Sequence, residues 1–377
     1  MTALEIMQKH YKHRELAAKE WKKKGGSVVG YFCVNVPEEL ILAAGLFPLR
    51  ISGDPWGSTE VARQHVLPRA ADREEFVQSM LNMILTGNYN FIDFLIIPHA
   101  RDSISGLYQT LIDAKGSNRT LKLPELYFLD NLLTTFYSSQ LYNRERIFEL
   151  KKKLEEWSEK DISNESLSQA IAITNENKVL LKKVAAIREA EPPRLSGVEA
   201  MQIIGSSMFM LKEEHNKLLL HYLNEADKLS AKDGVRLFVG GSPSDNLQFY
   251  HIVESCSATV VGEDNCWGNR YSDVPVDTSI NDPLEAIINR YYYKSPCPRT
   301  YPLIRRVEYC VNSAVNAKAQ GVIFNSMEND SQAWDIPDEI KALEEKSIPT
   351  LYLKNQPYLI SDPESLKASL KEFVRNI

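Results

Sequence analysis

Cysteine is scarce in this chain: five among 377 residues, at positions 33, 256, 266, 297 and 310, with no CxxC pair. An odd, dispersed set argues against both a disulfide framework and a structural zinc site. Long apolar runs are missing as well. No stretch approaches the roughly 18 to 20 apolar residues that a membrane helix needs. Excess basic charge is also absent, since the net charge is −6, so nothing suggests a general nucleic-acid binder. The one basic run, Lys22-Lys23-Lys24, is short and suits a solvated helix end. His10, His13, Arg14 and Glu15 come too early for a secretory leader, and a cytoplasmic location is expected. What is present is ordinary for a globular protein: 44% apolar and 25% charged residues, in a chain long enough for two or three cores.

The clearest local pattern runs from Ser27 to Arg50 and predicts strand, turn, helix, strand. Val28 to Phe32 is β-branched and aromatic after the Gly25-Gly26 breaker. Pro37 fits a first helical turn, and Glu38-Glu39 fall at the positive end of the helix dipole. Gly45 caps the helix and Pro48 prevents its resumption, so Leu49 to Ser52 is expected to start the second strand. The turn Cys33-Val34-Asn35-Val36 then lies between a strand's C-terminal edge and a helix N-terminus, where open α/β sheets bind ligands. The same spacing also suits a purely structural turn.

Four segments follow from the rest of the chain. Residues 1–24 read as amphipathic helix covering an edge of the first domain or a partner. Residues 25–138 read as a first α/β domain, with a helix around Arg73–Leu85, a continuous apolar strand Phe91–Ile97, a loop from His99 to Ser103 and a strand Glu125–Leu129. Residues 139–231 change to charged helical periodicity, broken at Pro192-Pro193, and read as a helical insertion. Residues 232–377 return to α/β, with strands at Arg236–Val239, Ala258–Val261, Gly321–Phe324 and Thr350–Leu353 and a last helix from Pro363. The expected fold is α/β: two parallel-sheet, three-layer domains facing a cleft, with the helical insertion between them.

Pro37-Glu38-Glu39-Leu40, then Ala44-Gly45, then Leu49-Arg50 resembles the benzoyl-CoA reductase / 2-hydroxyacyl-CoA dehydratase family. The resemblance continues through Asn175-Glu176-Asn177, Pro192-Pro193, Ser196-Gly197, Gly240-Gly241-Ser242-Pro243, the run Glu263 to Arg270, Arg290-Tyr291 and Pro296-Cys297-Pro298. Several such pieces in one order are a more specific signal than any single one. The resemblance implies a dimeric component of an acyl-CoA-transforming complex. A separate ATP-hydrolysing activator would supply single electrons, and a thioester-derived ketyl radical would lead to ring reduction or loss of a hydroxyl group. It also implies a four-iron four-sulfur cluster on three cysteine thiolates.

Those cysteines are missing. The first belongs after Leu67-Pro68, where Arg69 stands; the second before Asp102-Ser103, where Arg101 stands; the third in the loop after Phe324, which reads Asn325 to Asp330. Cys33 lies in the ligand-facing turn, and Cys266 and Cys297 match cysteines outside the family's usual ligand set. Cys256 and Cys310 fit small core hydrophobes. Asp72, Glu74, Arg101, Glu328 and Asp330 are expected to line the former cluster pocket. A buried charge there needs a partner, so Arg101 is expected to pair with Glu74, Glu328 or Asp330. His99, beside Asp102, is a candidate general acid. Cys33, Asn35, Gly240, Gly241 and Ser242 are candidate contacts for a CoA ester.

The resulting expectation is a benzoyl-CoA reductase-type subunit without a cluster of its own, completing a dimer with a cluster-bearing paralogue; the opening residues 17–31 favour that branch. No cofactor bound by this chain is expected. The alternatives are a 2-hydroxyacyl-CoA dehydratase subunit, a subunit holding a cluster through Cys33, Cys266 and Cys297, and a stand-alone CoA-ester binder on the same fold. Whether the chain is itself catalytic stays open.

Overall fold

Val28–Tyr31 forms strand β1, buried throughout, and Glu38–Ala43 forms helix α3 after the turn that the Pro37 and Gly45 pattern predicts; Gly45 adopts φ +72°. A computed structural model describes residues 1–65 and 74–377. Strand β2 is Phe47–Arg50, so Pro48 lies inside it rather than before it. The reason is position: β2 pairs with β1 alone and is an edge strand, where a missing N–H facing away from the ladder costs nothing. Strand β3, Phe94–Pro98, starts later than its apolar run suggests. Asp93 turns the chain just before it, its carboxylate accepting from the Val28 N–H at 2.8 Å and from the Lys22 ammonium at 2.7 Å. Lys22 is therefore ion-paired, not merely solvated.

With β4, Glu125–Leu129, the first sheet has the order β2-β1-β3-β4, all parallel. The second sheet comprises β5 (Val235–Gly241), β6 (Ala258–Glu263), β7 (Gly321–Met327) and β8 (Thr350–Gln356). Its order, β6-β5-β7-β8, repeats the first, and it too is parallel. The chain is thus two α/β domains of one topology. Each has its crossover reversal between the first and third of its strands, so ligand-type loops follow β1 and β3 in one domain and β5 and β7 in the other.

Helices α1 (Ala3–Lys12) and α2 (Leu16–Lys23) precede the first sheet. Thr2 closes a capping box with Glu5, and Met7 and Tyr11 turn inward on the α1 stripe. Around the first sheet lie α4 (Glu60–His65), α5 (Glu75–Leu85) and α6 (Asp102–Ser117). The middle segment is α7 (Tyr137–Ser158), α8 (Asn164–Glu189), α9 (Gly197–Ser206) and α10 (Lys212–Asn224). The break between α9 and α10 buries Phe209 and Met210, a tertiary demand that helical periodicity does not reveal. The second domain adds α11 (Gln248–Glu254), α12 (Pro283–Tyr293), α13 (Ile304–Asn316), α14 (Ile336–Glu344) and α15 (Pro363–Arg375). One core runs without a break from Met7 and Phe47 through Ile203 and Phe209 to Leu237 and Val260, so the domains share apolar packing rather than merely facing each other. Among the described residues no helix is long and apolar enough to cross a membrane.

Helix α8 joins the domains by charge. Its Lys178 reaches Glu39 at 3.0 Å and Glu38 at 3.6 Å, and Lys212 of α10 reaches Glu38 at 3.1 Å. Farther along α8, Arg188 holds Glu263 at the end of β6 through both terminal nitrogens. All these side chains are buried. Burial drives the carboxylates up, but Lys178 and Arg290 outweigh it and hold Glu39 at about 2, while Lys212 and Lys178 keep Glu38 below its ordinary value. Lys178 itself is pushed down, because losing water costs its ammonium more than the two carboxylates return. Glu39's folded pKa lies below its ordinary 4.5, so its contribution is present above pH 4.5 and is lost as pH falls toward 2. Urea unfolding over that interval should show falling stability. Lys178→Met should cost about 3–5 kcal/mol at neutral pH by removing the nearest cation from buried Glu39, which keeps only Arg290 at 4.0 Å, and should flatten the acid limb.

Candidate functional site

The loops after β3, β5 and β7 meet. Arg101, the residue before α6, is 7% exposed, and its guanidinium donates to Glu74 Oε1 at 2.9 Å and lies 3.3 Å from Asp330 Oδ1. Glu74 precedes α5 in the first domain, and Asp330 follows β7 in the second. The ion pair therefore spans the two reversal points. Asp330 is held from three sides: Ser242 Oγ donates to Oδ2 at 2.5 Å, the Gln332 N–H donates to Oδ1 at 2.9 Å, and Arg101 completes it. Burial opposes the charge on Arg101, but Asp330 and Glu74 together raise its pKa above the usual range. Glu328, expected in the same pocket, stands exposed on the solvent side of the loop. Asp72 and Arg69 lie outside the described residues.

The Gly240-Gly241-Ser242 turn is committed to the fold. Gly241 has φ +101°, and a Cβ there would meet the Asn325 carbonyl oxygen at 2.4 Å. The Ser242 N–H is spent on that same carbonyl at 2.8 Å, and Ser242 Oγ accepts from the Met327 N–H. The turn places Ser242 on Asp330; it does not present Ser242 N–H to a phosphate. His99 pairs through Nδ1 with Asp130 at 2.8 Å, not with Asp102, whose carboxylate takes Arg299 at 2.7 Å. The reason is strand register: His99 follows β3 beside the end of β4, so its ring reaches the residue after Leu129.

Cys33, Asn35 and three further groups form a second cluster. Cys33 has φ +57°, a conformation uncommon for a side-chain-bearing residue and found where tertiary contacts impose it. Asn35 is buried, and its Oδ1 accepts from the Lys294 ammonium, which also donates to the Val34 carbonyl at 2.7 Å. Burial pushes Lys294 down to about 7. Cys33 lies close enough to Cys266 and to Cys297 to feel the charge of each. Burial and Cys266 push the Cys33 thiol up to about 12. Cys266 behaves oppositely: burial would raise it, yet Arg50 and Arg270 hold it below the ordinary thiol value. Arg50 Nη2 lies 2.8 Å from Cys266 Sγ, Nη1 donates to the Cys266 carbonyl at 2.6 Å, and the guanidinium stacks 3.6 Å over Trp267.

Sequence reasoning missed Arg50 as a thiol partner and Lys294 as a cap on the turn. Leu49-Arg50 belongs to the very pattern that carries the resemblance, and that was the available signal. Other recurring pieces turn out to be scaffold: Asn175 exchanges hydrogen bonds with Val276, Asn177 donates to Asn216, and Arg290 approaches Glu39 at 4.0 Å. Cys256 and Cys310 are buried in the core. Cys310 also converges with Asp264 and Glu339, but Arg306 lies against both carboxylates, which makes the group an ionic knot rather than a metal cage.

An iron–sulfur cluster at the positions where the resemblance implies thiolates does not fit the described residues. Its ligands must be thiolates, whereas Arg101 is locked between carboxylates and Asn325 to Asp330 holds no sulfur but the Met327 thioether.

The model of the 2-hydroxyglutaryl-CoA dehydratase D-component family matches residues 33–377. The chain is 26% identical to one of the benzoyl-CoA reductase subunits of Thauera aromatica over 292 residues, covering 74% of this chain and 72% of that one. It is 24% identical to the (R)-phenyllactyl-CoA dehydratase beta subunit of Clostridium sporogenes over 345 residues, covering 89% and 88%. It is 22% identical to the beta subunit of (R)-2-hydroxyglutaryl-CoA dehydratase of Acidaminococcus fermentans, covering 88% and 87%.

Arg101→Met should lower stability by about 3–5 kcal/mol, since it leaves Glu74 and Asp330 buried without a cation. Adding Glu74→Gln and Asp330→Asn should restore most of that loss. Denaturant midpoints of the single and triple variants check the pair; an unchanged single variant would refute its role.

Proposed function

The chain belongs to the 2-hydroxyglutaryl-CoA dehydratase D-component family, and on that premise we propose that it is the partner subunit of an acyl-CoA-transforming complex of the benzoyl-CoA reductase type, pairing with a cluster-bearing paralogue in the cytoplasm. The observation that carries this reading is the substitution at the reversal points. Where the resemblance asks for thiolates, a buried Arg101 bridges Glu74 and Asp330 and ties the domains together. In this reading the paralogue holds the four-iron four-sulfur cluster and receives electrons from an ATP-hydrolysing activator, and this chain supplies surface and shape.

Two further observations support a partner. The relatives named above are each a subunit of a larger enzyme. An exposed aromatic patch also stands beside Cys297. Phe136 packs on Tyr301 with ring centres 6.0 Å apart, Tyr292 donates to the Phe136 carbonyl, and Tyr293 lies against Tyr292. Phe136, Tyr293 and Tyr301 are more than half exposed, a concentration uncommon on an unpartnered surface. The benzoyl-CoA reductase branch is favoured by the Thauera relative and by residues 17–31. The C. sporogenes relative, matched over more of the chain, supports the dehydratase branch as the alternative.

A second reading rests on one feature, the convergence of Cys33, Cys266 and Cys297, which would let this chain hold a cluster through other ligands. Anaerobic purification separates the two. The proposed partner subunit should co-purify with a cysteine-complete paralogue, and iron and sulfide should follow the paralogue when the two are separated. Stoichiometric iron and sulfide on this chain alone would refute it. Phe136→Asp with Tyr301→Asp should reduce co-purification at least about tenfold if the patch is covered, by loss of aromatic anchors. Turnover of benzoyl-CoA against a 2-hydroxyacyl-CoA by the reconstituted complex decides the branch.

A further inference from the structure

Arg50, the last residue of β2, is 3% exposed, and among the described residues no carboxylate pairs with its charge. Its neighbours are sulfur, carbonyl and ring. Nη2 lies 2.8 Å from Cys266 Sγ, Nη1 donates to the Cys266 carbonyl and lies 3.1 Å from the Met208 sulfur, and the guanidinium stacks on Trp267. A buried charge needs a counter-charge, and of these groups only the Cys266 sulfur can supply one, as a thiolate. That sulfur belongs to the second domain, whereas Arg50 belongs to the first.

A second sulfur stands beside it. Arg50 is in register with Tyr31 across the β1–β2 pair, and Cys33 follows Tyr31 by two residues in the turn where β1 ends. Cys33 thus lies at the same strand ends over which Arg50 holds Cys266. It feels Cys266 more strongly than Cys297, and such interactions weaken with separation, so Cys266 is its nearer sulfur. Cys33, Cys266 and Cys297 do not gather closely enough to share one metal ion, which leaves the chemistry of a pair. Cys33 is half-buried and Cys266 is 6% exposed, a setting that favours an oxidant scarcely larger than water over a bulky one.

We propose that Cys266 and Cys33 form a peroxide-sensitive pair that closes a reversible disulfide between the two domains. The Cys266 thiolate attacks one oxygen of hydrogen peroxide; the O–O bond breaks, Cys266 becomes a sulfenic acid and hydroxide leaves. The Cys33 sulfur then attacks the Cys266 sulfur. The S–S bond forms, the S–O bond breaks, and the departing hydroxide takes the Cys33 proton and leaves as water, so two thiols are oxidised and one peroxide is reduced. The first step eases the second. It removes the negative charge on Cys266 that helps to keep Cys33 protonated, while Arg50, which favours a Cys33 thiolate, stays in place. The assignment does not draw on the acyl-CoA reading. Its product joins the turn after β1 to the segment after β6.

Hydrogen peroxide added to the reduced, metal-free full chain tests this. Free thiols should fall from five to three per chain, and dithiothreitol should restore them. Proteolysis without reductant and mass spectrometry should find Cys33 joined to Cys266 within one chain. Cys33→Ser should stop at the sulfenic acid, which dimedone captures on Cys266. Cys266→Ser should leave Cys33 unoxidised, and Cys297→Ser should leave the link intact. Arg50→Gln should slow the loss of thiol about tenfold or more, because the thiolate is the nucleophile. Melting transitions of the reduced variants are compared with the parent's, and mapping the link on the unmodified chain decides the matter should Arg50→Gln fail to fold. Five thiols surviving the peroxide, a link through Cys297, or a link between two chains overturns the proposal. Oxidation of Cys33 in Cys266→Ser at the parent's rate overturns it as well.

Discussion

Arg101 stands at the reversal point of one parallel sheet and Asp330 at that of the other. Each sheet delivers a loop to the same place because each has the same strand order, and a cation and an anion in those loops draw the two domains together. Glu74 supplies the second carboxylate, and Ser242, fixed by the Gly241 turn, supplies a hydrogen bond to the first. Replacing such a group by apolar side chains of the same shape would cost little, but removing one member strands the others. The arrangement is accordingly better at specifying how the domains meet than at adding stability.

The same logic recurs through the interior. Lys178 and Lys212 bring the middle helices onto Glu38 and Glu39 at the start of α3, Arg188 ties α8 to Glu263, and Arg306 joins Asp264 to Glu339. These groups sit among apolar side chains in a continuous core, so each fixes a register that hydrophobic contact alone would leave degenerate. Glu38 and Glu39 also fix the first ligand-type turn. Helix α3 is short, and its N-terminus is anchored by charge on one side and by Tyr271 and Tyr291 on the other.

The thiols near the first ligand-type turn differ sharply in their surroundings. Cys266 is held toward its thiolate by Arg50, whereas Cys33, a neighbour in the same cluster, is driven toward its thiol by burial and by the charge on Cys266. Two sulfurs of opposite tendency lie where the reversal-point turn meets the second domain. Belonging to an acyl-CoA-transforming family gives that placement a context, and the aromatic surface beside Cys297 gives it a direction in which a partner would approach.

Much of the first domain was legible in the order of its residues, because local rules act on it directly. A β-branched run, a Pro at a helix start and a Gly with positive φ identify β1, α3 and the turn between them without any distant contact. That no cysteine stands where the resemblance implies a thiolate ligand was equally legible, since such a position is either Cys or not. Ion-pair partners were only half legible: a buried Arg101 demands an acid, but whether Glu74, Glu328 or Asp330 answers depends on which loop residue turns inward. His99 illustrates the same limit, because strand register, invisible in the residue order, set Asp130 rather than Asp102 beside it. Arg50 on Cys266 and Lys178 beside Glu39 join residues far apart along the chain, and only the packing of one domain on the other could decide them. Short-range preferences are written in neighbouring residues; the pairing of buried charges is a property of the closed core.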